Sequence, residues 1–148
     1  MKRTIKNLMI VSVTQLILHG IWEYAQCGTF YTMEGQASFE HAMLMVSATV
    51  GDVGIALTLF FILALGNENW NWFLNKWDKK DKFIMILYGL FVSFFFETHA
   101  LYHGRWGYSS KMPFFPGTDI GLLPVLQLLI LLPLGFLISK LIIKNYSN

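Results

Sequence analysis

Four long apolar segments alternate with short polar connections along this chain. The apolar segments cover about residues 8–27, 41–65, 83–103 and 120–143. Each of them reaches the roughly 20 residues that a helix needs to cross a hydrocarbon core about 30 Å thick. The connections leave no room for a separate soluble module. The pattern predicts an all-α fold, an integral membrane four-helix bundle that forms one membrane domain over residues 1–148.

Composition and charge placement favour the same class of protein and give it an orientation. The chain is 55% hydrophobic and 14% charged, against about 25% charged residues in soluble domains. Nine of the eleven basic residues lie before the first span, between the second and third spans, or after the fourth. The positive-inside rule therefore predicts that both termini and the middle loop are cytoplasmic. We expect a multi-pass protein of the bacterial inner membrane.

The middle loop, residues 67–82, interleaves aromatic residues with lysines and asparagines. Indole rings favour the headgroup region of a bilayer, where one edge is wet and the other dry. We therefore expect a short interfacial helix and an aromatic belt here. Two aspartates interrupt the basic run, which argues against a nucleic-acid partner. The aromatic residues of the loop are Trp70, Trp72, Phe73 and Trp77.

Small residues and prolines predict how the helices pack. Ser47, Gly51 and Gly54 recur at helical spacing in the second span, and such residues let a neighbouring helix approach closely. Pro124 and Pro133 lie in the fourth span. A proline inside a helix removes a backbone hydrogen bond and bends the helix. We expect close packing along the second span and two bends in the fourth.

Acidic residues interrupt three of the four spans and are the main functional signal. Glu23, Asp52 and Glu97 each lie in a different apolar segment, where a carboxylate costs roughly 2.5–3.5 kcal/mol on insertion scales. Glu23, Glu97 and Gln127 fall on the order of 10 Å below the outer boundary, and Asp52 on the order of 16 Å. The inner half of each span is almost purely apolar. We expect a polar pocket between the helices in the outer half of the bundle.

Histidines leave a metal site open as an alternative use of this pocket. His19 and Glu23 are four residues apart, as are His99 and His103, so each pair shares a helix face. First-row metals are bound by such ligands. Glu97, however, lies about 200° around the helix from His99, so the acid and the histidine pair diverge. Another alternative is that the carboxyl groups are neutral and only hydrogen-bond neighbouring helices.

Acid–base chemistry on a lipid is the hypothesis that these residue types favour most. A carboxyl group removed from water favours its neutral form, and a neutral carboxylic acid can protonate an alkene. A second carboxylate can then remove a proton elsewhere, and aromatic faces can stabilise the intervening cation. This chemistry needs no cofactor. The predicted catalytic residues are Glu23, Asp52, Glu97 and His19, the last as a proton relay, and the predicted ligand-binding residues are Trp22, Tyr24, Trp106, Tyr108 and Gln127.

Two families resemble this chain at the positions that carry the acids. Glu97, followed by Gly-Arg-Trp-Gly-Tyr at 104–108 and Gly-Leu-Leu-Pro-Val-Leu-Gln at 121–127, resembles the lycopene-cyclase-type membrane domain, although Gln127 stands where that family has an acid. His19-Gly-Ile-Trp-Glu23 is similar to the first helix of the emopamil-binding-protein-like (EXPERA) group of four-helix sterol isomerases and ligand-binding proteins. In that resemblance Asp52 and Glu97 match acids of later helices. Both resemblances imply cation chemistry on isoprenoid lipids.

The expected function is therefore a membrane protein that binds an isoprenoid-like lipid and isomerises or cyclises it. Its partners would be membrane lipid and a hydrophobic small-molecule ligand, and a homo-oligomer is compatible with the sequence. The alternative functions are a non-catalytic lipid-binding protein, a subunit of a larger assembly, or a metal site.

Overall fold

The structure is a computed structural model that describes residues 2–32 and 38–146. Four long helices dominate it, and each is long and apolar enough to cross a membrane. Two short strands pair near one end of the bundle, and a single turn of 3-10 helix lies at the other end. The elements are α1 (Lys2–Phe30), β1 (Tyr31–Thr32), α2 (Ser38–Gly66), the 3-10 helix (Trp72–Leu74), α3 (Lys79–Tyr102), β2 (Gly107–Tyr108) and α4 (Leu122–Asn145).

The first three helices begin before the predicted spans, whereas α4 begins after its predicted start. Gly121 is the N-cap of α4, so Pro124 lies in the first turn, where a backbone N–H has no intrahelical partner. The carbonyl of Ile120, four residues before Pro124, accepts a hydrogen bond from the Phe115 amide at 2.8 Å. The predicted bend at Pro124 is therefore wrong. Only Pro133 lies in the interior of α4.

Helix packing differs from the expectation for the small residues of α2. This helix packs against α1, α4 packs against α1 and α3, and α2 and α3 barely touch. A Cβ added at Gly51 or Gly54 would meet no atom within 4 Å. The close approaches occur instead at Gly89, 3.2 Å from Leu129, and at Gly135, which lies against α1. The second span therefore does not pack through its small residues, and a gap separates α2 from α3.

An aromatic cluster fills the end of the bundle near the middle loop. Phe60, Phe73 and Phe136 are almost fully buried, and the ring of Trp72 lies 5.2 Å from that of Phe136 between centroids. The Trp72 indole donates a hydrogen bond to the Phe60 carbonyl at 3.1 Å. The expectation of an interfacial belt is therefore wrong for Trp72 and Phe73, which belong to the core, while Trp70 is half exposed. The sequence could not distinguish an indole that caps the core from one that lies among headgroups.

The connection between α3 and α4 folds back over the opposite end of the bundle, as its aromatic residues and turns suggest. Its strand β2 pairs antiparallel with β1, with Tyr31 opposite Tyr108. Ser109 extends the pairing, since its amide donates to the Phe30 carbonyl at 2.9 Å and its hydroxyl to the Thr29 carbonyl at 2.8 Å. The prediction of helices alone missed this two-stranded ribbon, which ties the end of α1 to the connection that precedes α4.

Candidate functional site

A cavity of about 280 Å³ lies beneath the ribbon, at the end of the bundle where α1 ends and α4 begins. Helices α1, α2, α3 and α4 all contribute to its wall, and residues of the ribbon close it from above. Most of the lining is apolar, with side chains such as Ile55 and Leu128. Its polar lining includes Glu23, Asp52, Glu97, Arg105 and Gln127. The acids that the sequence placed on separate helices therefore meet around one space.

The amide of Gln127 joins two of these acids. Its Nε2 donates to Glu23 Oε1 at 2.8 Å and to Asp52 Oδ2 at 2.8 Å. His19, which is fully buried behind the cavity wall, places its Nδ1 3.1 Å from the same Asp52 oxygen. One side chain of α4 thus binds α1 and α2 together through a pair of neighbouring carboxyl groups. We call these four residues the amide-bridged cluster.

A hydrogen-bond chain along α1 fixes the orientation of that amide. The Trp22 indole donates to Gln26 Oε1 at 3.0 Å, and Gln26 Nε2 donates to Gln127 Oε1 at 3.2 Å. Because the Gln127 oxygen accepts this bond, its nitrogen must face Glu23 and Asp52. Trp22 therefore acts through Gln26 and does not line the cavity. Sequence reasoning missed Gln26, although its place four residues after Trp22 and three after Glu23 is a signal for a shared helix face.

Glu97 occupies a separate environment on the α3 wall. Its Oε2 accepts hydrogen bonds from the Tyr108 hydroxyl and, at 3.4 Å, from the Trp106 indole. Tyr31 packs against both of these rings, with its centroid 6.2 Å from Trp106 and 5.7 Å from Tyr108. Burial raises the pKa of Tyr31 and of Tyr108 above its ordinary value, so both hydroxyl groups are neutral at neutral pH. The partners of Glu97 are therefore Tyr108 of the ribbon and Trp106, which directly precedes β2.

Some predicted site residues lie elsewhere. Tyr24 is 70% exposed, and neither it nor Tyr108 lines the cavity, although Tyr108 contacts Glu97. His99 and His103 are exposed on another face of α3, with their ring centroids 4.4 Å apart. The structure therefore does not bring them to His19 and Glu23, as the metal alternative required. Within the described residues, no group of three or more histidine, cysteine, aspartate or glutamate side chains could hold a metal ion.

Tyr31 and Arg105 are polar lining residues that were not predicted as site residues from the sequence. Tyr31 lies beyond the first predicted span, which ends at about residue 27, whereas α1 continues to Phe30 and leads directly to Tyr31 in the ribbon. Arg105 served only as a charge on the outer side, although it lines the cavity and its guanidinium lies 5.2 Å from the Trp106 ring centroid. The signal for Arg105 was its position directly before Trp106, which was already predicted to bind ligand.

The expected segregation of polar residues is only partly correct. Gln15 is fully buried one turn from His19 toward the aromatic end, and its Nε2 donates to the Leu132 carbonyl at 3.1 Å. Ser139 and Asn7 are further buried polar residues outside the cavity. Ser139 bonds the Gly135 carbonyl, and Asn7 bonds the middle loop. The inner half of the bundle therefore also contains polar side chains, which serve helix packing.

No family model, curated protein or solved structure is significantly similar to this chain. Function must therefore be argued from the cavity. Its wall combines carboxyl groups from three helices, aromatic rings from the ribbon and an apolar remainder. Such a site can hold an apolar ligand and place acids at two positions along it.

Proposed function

We propose that this chain is a multi-pass protein of the bacterial inner membrane, with both termini and the middle loop in the cytoplasm. The asymmetry of basic residues supports this orientation. The ribbon lies at the opposite end of the bundle from the 3-10 helix of the middle loop, so this orientation places it on the outer side. The cavity then lies near the outer surface, with its apolar lining at the depth of the acyl chains.

The proposed activity is binding of an isoprenoid-like lipid and its isomerisation or cyclisation by acid–base chemistry. The single observation that carries this proposal is the division of the acids between two walls of one cavity, with Glu97 on α3 and the amide-bridged cluster on the other helices. Resemblance to sterol isomerase and lycopene cyclase domains at these same acids points in the same direction.

The reaction that this arrangement supports is a double-bond shift. Glu97, in its protonated form, donates a proton to an alkene carbon, and a C–H bond forms there as the alkene becomes a carbocation. Trp106 and Tyr31 present aromatic faces to that charge. Glu23 or Asp52 then removes a proton from a neighbouring carbon, and the new double bond forms. His19, whose Nδ1 lies 3.1 Å from Asp52 Oδ2, can share the proton that Asp52 takes up. The cycle closes when that proton is released to water and Glu97 takes up a proton from water.

Deuterium from solvent tests this proposal directly. The protein, reconstituted in vesicles with farnesol, squalene or lycopene and transferred to D2O, should introduce deuterium into at least one of these lipids, as mass spectrometry would detect. Glu97→Gln should abolish the incorporation, since an amide cannot donate that proton. Glu68→Gln, which changes an exposed carboxyl group of the middle loop, should leave it unchanged. Incorporation that persists in Glu97→Gln contradicts the proposed role.

A non-catalytic lipid-binding function is the second candidate. It is favoured by the amide-bridged cluster, in which Gln127 already engages Glu23 and Asp52 and so holds the helices together. This candidate predicts that one of the same lipids is retained by the purified protein and gains no deuterium.

A further inference from the structure

The cavity has an opening on one side, and the exposed residues of its lining mark where it lies. Ser47 and Gly51 on α2, Phe96 on α3 and Arg105 after α3 are exposed and line the cavity. Gln127, Leu128 and Pro124 on the α4 wall are buried. The opening is therefore bordered by α2 and α3, with Arg105 at its upper edge.

The gap between α2 and α3 explains this opening. The two helices barely touch, and below the cavity the Tyr88 hydroxyl of α3 donates to the Ile55 carbonyl of α2 at 2.9 Å. Above it, the ribbon covers the end of the bundle through Tyr31 and Trp106. Because the cavity is covered toward both ends of the helices, its opening faces sideways, perpendicular to the helix axes. In a membrane-spanning bundle, that direction is the bilayer.

Gly51 keeps the opening wide. A Cβ added there would meet no atom within 4 Å, and Gly51 lines the cavity. Gly54, on the same helix, is also exposed and also has open space around an added Cβ, but it does not line the cavity. A larger side chain at Gly51 would therefore enter the opening, and one at Gly54 would not. The two glycines form a matched pair.

Arg105 gives the edge of the opening a charge opposite to that of the interior. It is exposed, lines the cavity and stacks on Trp106 with its guanidinium carbon 5.2 Å from the ring centroid. Within residues 2–32 and 38–146 it forms no salt bridge. Guanidinium groups bind phosphate and carboxylate through paired N–H donors. An anion therefore fits at the edge, and the carboxyl groups deeper inside disfavour it there.

We propose that the cavity is entered sideways from the bilayer, between α2 and α3, by an amphiphile whose anionic headgroup binds Arg105. The headgroup is a phosphate or a carboxylate, and its apolar chain passes Gly51 to reach Glu97 and the amide-bridged cluster. This inference rests on the proposed lipid function and narrows its ligand class to isoprenoid chains that end in an anion.

Binding of farnesyl phosphate, farnesol and inorganic phosphate to the purified full chain in micelles tests this proposal. Wild-type protein should bind farnesyl phosphate at least about tenfold more tightly than farnesol, because a charge-assisted hydrogen bond is the stronger kind. Arg105→Gln should remove that difference, whereas Lys111→Gln, a change at an exposed lysine that does not line the cavity, should keep it. Gly51→Leu should weaken binding of both farnesyl compounds about tenfold or more, because its side chain would occupy space that the bound chain needs beside Gly51, and Gly54→Leu should not.

Several outcomes overturn the proposal. The first is a preference for farnesyl phosphate that persists in Arg105→Gln. The second is Gly51→Leu protein that binds both farnesyl compounds like wild type and has an unchanged circular dichroism spectrum. The third is inorganic phosphate that competes for the site as well as farnesyl phosphate does. In each case, farnesol binding by wild-type protein would leave the proposed lipid function intact. Failure of the wild type to bind either farnesyl compound would instead overturn both.

Discussion

At the end of the bundle near the middle loop, aromatic rings fill the space between the helices, whereas at the other end the same helices enclose a cavity. Phe60 of α2 meets Phe136 of α4 in the filled half, with ring centroids 6.4 Å apart. In the open half, α2 reaches α4 through the hydrogen bond between Asp52 and Gln127. One pair of helices is thus joined by packing at one end and by polar contacts at the other.

This difference explains how a small bundle can keep a cavity. Lipid tails are as apolar as leucine, so helices in a bilayer gain association energy from close packing and from hydrogen bonds. Packing requires filled space, and hydrogen bonds between long polar side chains do not. The polar cluster therefore joins α1, α2 and α4 beside the cavity, and α3, whose Glu97 is bonded to Tyr108 and Trp106 instead, can stand apart from α2.

The largest effect should come from removing a ring in the filled half. Phe136 is fully buried among aromatic neighbours, so Phe136→Ala should lower the free energy of unfolding by about 3 kcal/mol through the cavity it creates. Leu137→Ala is the control, because Leu137 is 43% exposed. Denaturation in mixed micelles measures both changes. Equal losses in the two variants would show that the filled half is not held by packing.

A substitution at the boundary between the two halves should lower the free energy of unfolding by nearly as much. A Cβ at Gly135 would lie 2.4 Å from the buried Gln15 side chain, so Gly135→Ala should cost about 2 kcal/mol by overpacking. Gln15→Ala removes the atoms that clash. The double variant should therefore be more stable than Gly135→Ala alone, and the same denaturation measures it. If Gln15→Ala fails to rescue the glycine variant, the contact does not limit packing there.

The four helices and the separation of acids among them could be predicted from the sequence, because long apolar runs and acidic residues within them are local signals. The pairing of Gln127 with Glu23 and Asp52 could not be predicted, since a glutamine among leucines does not reveal which neighbours its amide contacts. The β ribbon was also hidden. Two-residue strands are too short for a period, and Tyr31 meets Tyr108 only through long-range contact.

The same reasoning explains why small residues were misread. Gly51 and Gly54 have the spacing of a packing face. The same spacing also fits a helix face that borders open space. Only the position of α3 decides between the two, and α3 is held by its packing against α4 at Gly89 and Leu129. A pattern on one helix therefore predicts a surface without predicting what covers it.

A smaller effect is expected when the polar cluster loses its central amide. Gln127→Leu keeps the side-chain size and leaves Glu23, Asp52 and Gln26 without their shared partner, which should cost about 1.5 kcal/mol. Adding Asp52→Leu removes one of the stranded groups. The double variant should then lose less stability than the sum of the single variants, as coupled residues do. Simple additivity would show that Gln127 and Asp52 act independently, and so that the open half is not held by this cluster.

The smallest effect should come from the ribbon, which reaches the long helices through single hydrogen bonds rather than through buried packing. Tyr108→Phe removes the hydroxyl that donates to Glu97 and should cost about 1 kcal/mol below pH 10. Burial, and next the charge of Glu97, raise the pKa of Tyr108 above the ordinary value of 10.0. The unfolded tyrosine therefore ionises first. The greater stability of the wild type over Tyr108→Phe is thus fully present below that value and falls as the pH rises toward the folded pKa.

The free energy of unfolding of both proteins, measured from about pH 8 to about pH 11 and so on both sides of the ordinary tyrosine pKa, shows the trend. Tyr146→Phe, at an 82% exposed position, is the control. A difference that stays constant across this range would mean that the Tyr108 hydroxyl is open to solvent, and that the ribbon does not seal the cavity.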